Sequence, residues 1–432
     1  MIVSGWGNYP KSESSVFSFR DEAQLKEFNS SLDNFITRGN GRSYGDSALS
    51  QDIISSTRFN YFINFDEIRG LLRVQSGVLL SEIIEAFLPR GWFLKVTPGT
   101  KLITVGGAIA SDVHGKNHHI AGCFSECVES FTLLLPDNTI LKCSRSENIE
   151  LFRATCGGMG LTGVILEAEI YLKKVTSNRI QQTTIKTQNL EDTFEAFEEY
   201  KEHPYSVAWI DCLAKSDALG RCLLTVGDFA EDHCYDYKDK NKIEVPFNFP
   251  SFSLNKLSVQ AFNFLYYQKV RSNISQQRVS VDSFFYPLDA VGHWNKIYGK
   301  QGFVQYQFIL PKASSFEGLK IILEEIAKSG MGSFLAVLKL YGAENDNFLS
   351  FPMEGYSLAL DFKIQTGLFE LLEKLDKIVV EFGGRIYLAK DARMSKEVFE
   401  KGYPMLSQFK AIREKYNLTD KLKSMQSERL GI

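Results

Sequence analysis

Three of the chain's six histidines fall within six positions of the stretch ASDVHGKNHHIAG, residues 110–122. His114, His118 and His119 could ligate a metal, supply a catalytic base, or anchor a loop that holds something else. A metal centre needs further donors, yet Asp112 is the one acid close by and no cysteine stands at ligand spacing. His114 and His118 would share a helix face at i, i+4, but Gly115 and Asn117 make this a poor helix. We therefore expect no metal site. The stretch reads as a loop lying on a ligand, with His114 at the active site and His118 and His119 as anchors.

Three glycine-rich segments suggest what that ligand is. In TRGNGRSYGDSAL (37–49), Gly39, Gly41 and Gly45 can adopt positive φ and turn successive N–H groups toward an anion, with Arg38 and Arg42 adding charge. In VTPGTKLITVGGAIASDVHGKNHH (96–119), Pro98-Gly99 makes a turn and Gly106-Gly107 lets the backbone pass close to a ligand. CGGMGLTGVILEAEI (156–170) contains G-x-G-x-x-G at Gly158, Gly160 and Gly163. A Rossmann fingerprint must follow a strand and open a helix. Here the helical pattern ENIELFRAT precedes it and the β alternation GVILEAEIYL follows, so no such site is expected. One glycine turn between strands is ordinary; three, the first with paired arginines, point to a large anionic or dinucleotide ligand.

Four polar residues sit in apolar strand patterns. In GRIYLAKD, period two places Ile386, Leu388 and Lys390 on one face and Tyr387 on the other. A lysine there either reaches water at the strand end or is held in a cavity. Burial would lower its pKa and make it a base or an alkoxide-stabilising cation. Gln305 and Gln307 share a face in FVQYQF, where amides suit sugar hydroxyls better than a core. Lys339, on one face with Leu335, Val337 and Tyr341, suits a phosphate or diol. A solvent-facing sheet edge is the alternative for these residues. Tyr44 would present its hydroxyl near His114, or be a ring wedged between loops.

The elements that must position these residues form an α+β pattern. A chain of 432 residues implies two domains or one large split domain. Short strands and glycine-rich connections fill residues 1–177, longer helices alternate with strands over 178–383, and 384–432 is expected to return to the first domain. The segment 231–280, basic and aromatic, reads as a lid or insertion. A net charge of −3 with dispersed Lys and Arg argues against nucleic acid as a partner. Seven irregularly spaced cysteines without a CxxC pair fit a reducing compartment. The N-terminus lacks a signal-peptide pattern, and no apolar run approaches the ~20 residues of a membrane span. A cytoplasmic location is expected, compatible with contact at a membrane surface.

RGNGRSYGDS, TPGTKLITVGGAIASDVHGKNHH and CGGMGLTG resemble the PCMH-type FAD-binding module of the vanillyl-alcohol oxidase superfamily. Within it the likeness is to the decaprenylphosphoryl-β-D-ribose 2-oxidase family, the flavoprotein half of an epimerase that makes cell-wall arabinose. It continues through SGWGNYP, YSVAWID, WNKIYGKQGFVQYQF, SFLAVLKLYG and GGRIYLAKDAR. The resemblance implies a two-domain α+β fold whose substrate domain is built on an antiparallel sheet.

It also implies FAD held without a covalent bond, although the wider superfamily sometimes links flavin to a histidine near His114. The first loop would wrap the pyrophosphate through Arg38, Gly39, Asn40, Gly41, Arg42 and Ser43, continuing through Gly45, Asp46 and Ser47. The second would run beside the isoalloxazine through Gly99, Thr104, Val105, Gly106 and Gly107, then Ser111, His114, Gly115 and Lys116. Gly163 and Ile165 would meet the adenosine half, and Tyr387 the flavin. Lys390 matches the family's active-site lysine, Lys339 a substrate-site lysine. Ala359 stands where some members have a cysteine, so thiol chemistry at that position is not expected.

The implied reaction converts the 2-hydroxyl of a polyprenyl-phosphoryl-β-D-ribose to a 2-keto intermediate, with Lys390, His114 and Tyr44 catalytic and Gln305, Gln307, Lys339 and Lys390 on substrate. An NAD(P)-dependent short-chain reductase would be the partner that completes epimerisation. A lipid-linked substrate suggests peripheral contact with the inner face of the cytoplasmic membrane, around the aromatic 245–267 region. Two alternatives remain: a related FAD-dependent sugar, alditol or sugar-lactone oxidase, and a flavin-carrying accessory protein without turnover. Changes at Lys390 or His114 would favour the latter, and both residues are present.

Overall fold

The strand Val164–Lys174 alternates buried and half-buried residues along its length, the period-two signature of a sheet covered on one face. It is the hub of a six-stranded sheet, antiparallel to Leu71–Gln75, Val128–Leu134 and Trp92–Leu94. The helix Ile149–Thr155 precedes it, and the third glycine segment lies between the two. That order, helix then glycines then strand, is the reverse of a Rossmann entry. A small parallel sheet of Ser15–Ser18, Ile36–Arg38 and Asp52–Ser55 delivers Arg38 directly into the first glycine loop. The computed structural model describes residues 1–238, 243–250 and 253–432.

An eight-stranded sheet begins at Arg179 and ends with Arg385–Ile386, every neighbouring pair antiparallel. Its two faces differ in chemistry. In Phe303–Pro311, Tyr306, Phe308 and Leu310 point one way and Gln305 and Gln307 the other. The apolar face takes the helices Ser315–Ser329 and Leu368–Glu381. Leu319, Ile322, Leu323 and Ile326 form the buried stripe of the first of these at i, i+3, i+4, i+7. The amide face is left for something polar. Among the described residues, no helix is long and apolar enough to cross a membrane.

Three expectations change. GRIYLAKD is not a strand throughout: only Arg385–Ile386 pairs, with Phe303–Pro311. The chain then turns, the Lys390 and Asp391 N–H groups both donating to the Tyr387 carbonyl at 3.0 Å. Because the turn breaks the period-two rule, Tyr387 and Lys390 face one cavity rather than opposite sides. Residues 274–280 of the expected lid are an edge strand paired with Arg179–Thr187, and Lys256–Gln268 is a helix. Residues 239–242 and 251–252 of that segment lie outside the described residues. Finally, Gly106 and Gly107 belong to a short helix, Val105–Ala110, capped by the Thr104 hydroxyl accepting from Gly107 N–H at 3.1 Å.

The last helix, Met425–Leu430, holds the halves of the site together. After its two-residue strand, the C-terminal segment runs back to the first loop: Met425 N–H donates to Leu49 O and Lys423 N–H to Phe35 O. The Arg429 guanidinium donates to Asp46 Oδ1 at 2.8 Å and to Asp391 Oδ2 at 2.8 Å. Asp46 belongs to the first glycine loop and Asp391 follows Lys390. Arg429→Ala would leave two buried carboxylates without their cation. It should destabilise the protein by about 3 kcal/mol, the scale for breaking a buried ion pair, measured by urea unfolding. Unchanged stability would show that the clamp is dispensable.

Candidate active site

One cavity runs between the glycine loops and the amide face of the large sheet. Arg38 to Tyr44 and Ser47 line it from the first loop, Gly99, Thr104, Gly106, Gly107, Ser111, His114 and Lys116 from the second, and Gly163 and Ile165 from the third. Gly41 needs its left-handed φ of 63°, and a Cβ at Gly39 would overlap the Thr104 side chain. Among the described residues, none of the backbone N–H groups from Gly39 to Ser43 has an acceptor. Consecutive unpaired amides, with no side chain at Gly39 and Gly41 to hold a ligand off, fit the pyrophosphate of a dinucleotide.

The two arginines divide their tasks. Arg38 is a brace, donating to Ser4 O at 2.7 Å and Ala48 O at 3.2 Å. Arg42 lies 4.0 Å over the Trp6 ring, with Asp289 nearby. Four residues expected on the cofactor sit behind the wall instead. Asp46 is tied to Arg429, and Gly45 packs so closely on Asp391 that a Cβ would overlap its carbonyl. Val105 is fully buried in the core, and Gly115 packs against Thr97 and Asn117. Their glycine and carboxylate chemistry serves backbone approach and clamping, which sequence pattern alone does not distinguish from ligand contact.

The histidines point three ways. His119 Nε2 lies 2.9 Å from His203 O, and His118 Nε2 3.4 Å from Cys123 Sγ. His114 alone reaches the cavity. Its Nδ1 is 2.8 Å from the Tyr341 hydroxyl, its Nε2 is 3.4 Å from Gln307 Nε2, and its ring packs on Tyr387 and Phe351. Burial, with Lys339, His118 and Lys390 close by, holds its pKa well below the usual value, so the imidazole is neutral at pH 7. Among the described residues, no three His, Cys, Asp or Glu side chains gather where they could hold a metal ion.

Strand register sets the cavity floor. Lys339 pairs across from Ser357, Val337 from Ala359, Gln307 from Ala359, and Gln305 from Asp361. The rows thus run Lys339–Ser357, Val337–Ala359–Gln307 and Asp361–Gln305. Gln305 Nε2 donates to Asp361 Oδ1 at 2.5 Å, and Gln307 Nε2 to Ser357 Oγ at 3.3 Å. Lys390 rises from its turn on the opposite side, Nζ 3.9 Å over the Tyr44 ring. Tyr387 is fixed beside it, its hydroxyl donating to Ser111 O at 2.9 Å. Neither the Lys339 nor the Lys390 side-chain amine has a hydrogen-bond or ion-pair partner among the described residues.

That crowding of cations away from bulk water reshapes their acidity. Burial brings Lys390 down to about 7, opposed by Asp361 and aided by Lys339. Lys116 falls to about 7 and Lys339 to about 8, burial again leading. Asp361 moves the other way, burial raising it to about 7 against the pull of Gln305 and Lys390. Asp361 and Tyr341 are the residues that sequence reasoning left without a role. Asp361 was legible, since it lies two positions from Ala359 on one strand face and across from Gln305. Period two placed Tyr341 on the Lys339 face, but its contact with His114 joins positions 227 apart and no local pattern shows it.

Reductive ¹³C-methylation of the lysines and NMR titration should show the Lys390 amine titrating near pH 7, at about 7 in the native protein. In Asp361→Asn it should titrate lower, because the carboxylate favouring the ammonium form is gone. A Lys390 signal near pH 10 would contradict the enclosed position.

Residues 20–144 match the FAD binding domain family. The chain is 36% identical over 431 residues to the decaprenylphosphoryl-β-D-ribose oxidase of Mycolicibacterium smegmatis, covering 95% of this chain and 93% of that protein. An uncharacterised Streptomyces coelicolor protein is 29% identical over 82% of this chain and 100% of its own length. The L-gulonolactone oxidase of Bos taurus is 32% identical over 34% of this chain and 33% of its own. That last likeness is too short to include the large sheet and its amide floor. The near-complete match does include them, and with the glycine-lined cavity it shows that the chain belongs to the decaprenylphosphoryl-β-D-ribose oxidase family of FAD-dependent oxidoreductases.

Proposed function

We propose that the protein oxidises the 2-hydroxyl of a polyprenyl-phosphoryl-β-D-ribose to the 2-keto form. The reading rests on one observation above others: Lys339 and Lys390, whose side-chain amines have no hydrogen-bond or ion-pair partner among the described residues, line one cavity with the amide pair Gln305 and Gln307. FAD, held along the wall from Gly39 to Ser43, would supply the hydride-accepting oxidant that the alcohol needs. The chain's own residues do the rest. Gln307 and Lys339 hold ribose hydroxyls or phosphate, and Gln305 keeps Asp361 against the site. The neutral Lys390 amine, steadied over the Tyr44 ring, accepts the hydroxyl proton as the carbon–oxygen double bond forms. His114, uncharged and backed by Tyr341, packs the reacting face through Tyr387.

In this reading FAD is held without a covalent bond, as the family resemblance implies, with the His114 ring hydrogen-bonded to Tyr341 and Gln307. The 2-keto product passes to an NAD(P)-dependent short-chain reductase. Work at the inner face of the cytoplasmic membrane suits a lipid-linked substrate and seven free cysteines.

Purified protein should be yellow, and acid precipitation should release the flavin to the supernatant. Anaerobic flavin bleaching by a panel of polyprenyl-phosphoryl sugars and free alditols should single out the ribose compound; a preference for a free polyol would replace this substrate with another. Lys390→Ala should bind FAD yet lose reduction by at least a hundredfold, on the scale of a lost general base. In the native protein the reduction rate should rise with pH through about 7 and then level off, because the amine acts only once deprotonated. A rate that falls through that range would make the ammonium the working form.

A further inference from the structure

The helix Lys256–Gln268 is amphipathic in an inverted sense. Its inward positions, Val259, Asn263 and Tyr267, include an amide donating to Asp211 Oδ1 at 2.8 Å and a phenol donating to Thr187 O at 2.8 Å. Its outward positions are apolar. Leu257, Ala261, Phe264 and Leu265 recur at i, i+4, i+7, i+8, with Leu257 76%, Leu265 68% and Phe264 53% exposed. Phe262, Phe247 and Ile243 are also exposed. A soluble surface rarely gathers such side chains without a partner.

Charge identifies the partner. Between Glu244 and Asp282 the sequence contains Lys256, Lys269, Arg271 and Arg278, the last paired with Asp232 at 3.0 Å, and no acidic residue, in a chain whose net charge is −3. Lys256 and Lys269 are exposed at the two ends of the helix. Apolar side chains between cations match the depth profile of an anionic bilayer, acyl region below and phosphates above. A chain of ring contacts leads from the flank of the helix to the reaction centre. Phe262 meets Phe334 edge-on, Phe334 stacks with Tyr298, Tyr298 with Phe303, and Phe303 packs against Tyr44 under Lys390.

We propose that Lys256–Gln268, with Ile243 and Phe247, seats the protein on an anionic lipid bilayer, the apolar face within the interface and the flanking lysines at the phosphates. This rests on the reading that the substrate is lipid-linked, and assigns the surface from which it is drawn.

The test is co-sedimentation of the flavin-loaded full chain with vesicles of phosphatidylglycerol and phosphatidylcholine, against phosphatidylcholine alone. Binding should require phosphatidylglycerol, weaken with salt, and fall at least tenfold in the Phe264→Ser/Leu265→Ser variant. Both substituted residues are exposed and away from the cavity, so that variant should keep its flavin spectrum and its reduction by substrate in detergent micelles. Wild-type protein left in the supernatant, or a variant that binds equally well, would overturn the proposal. So would a dimer in sedimentation velocity that the variant abolishes, which would make the face a contact between two copies. Vesicle binding with no flavin reduction by the ribose compound would support the surface and overturn the substrate; the reverse pattern would do the opposite.

Discussion

The site depends on how closely two backbones approach. Gly45 of the first loop packs on the carbonyl of Asp391, leaving no room for a side chain, and Tyr44 N–H donates to Ala389 O at 3.0 Å. Arg429 then binds a carboxylate on each strand of chain, Asp46 and Asp391. This contact sets the 3.9 Å between Lys390 Nζ and the Tyr44 ring, and hence where the amine stands relative to the glycine wall. Ion pairs buried at this depth contribute little net stability over an apolar packing. What they supply here is register between two segments far apart in sequence.

The floor on the other side has a different origin. Antiparallel register alone brings Lys339, Ser357, Ala359, Gln307, Gln305 and Asp361 into neighbouring rows. The opposite face of the same strands is apolar and covered by helices, so the polar rows have nowhere to go but the cavity. Enclosing several cations without counter-ions is costly unless they lose protons. Lys116, Lys339 and Lys390 all move toward neutrality for this reason, and Asp361 toward protonation. A single geometric fact, a polar sheet face closed off from water, thus generates the acid–base chemistry.

What was legible in the sequence is what repeats locally. Period two separated Gln305 and Gln307 from Tyr306 and Phe308, and the order of helix, glycines and strand around Gly158–Gly163 ruled out a Rossmann site. The turn at Tyr387–Lys390 was not legible, because GRIYLAKD carries no glycine or proline where the strand stops. It stops after Tyr387 N–H donates to Gln307 O, where the chain turns back on the Tyr387 carbonyl although the partner strand runs on to Phe303. The same holds for Gly45, Asp46, Val105 and Gly115: their residue types suit a ligand, but their neighbours are other segments of chain. Asp361 and the face of Tyr341 were within reach of the pattern, whereas the partners of Tyr341 and Arg429 lie hundreds of positions away.

Arg429 also bears on when the protein becomes competent. The cavity draws on residues from 37 to 390, and its clamp on one as late as 429. As the chain emerges from the ribosome, the glycine loops appear first and can fold within their own sheets, yet Lys390 has no fixed place beside Tyr44 until the clamp residue has been added. Capture of the cofactor in its working pose therefore waits until residue 429 has been made and has docked.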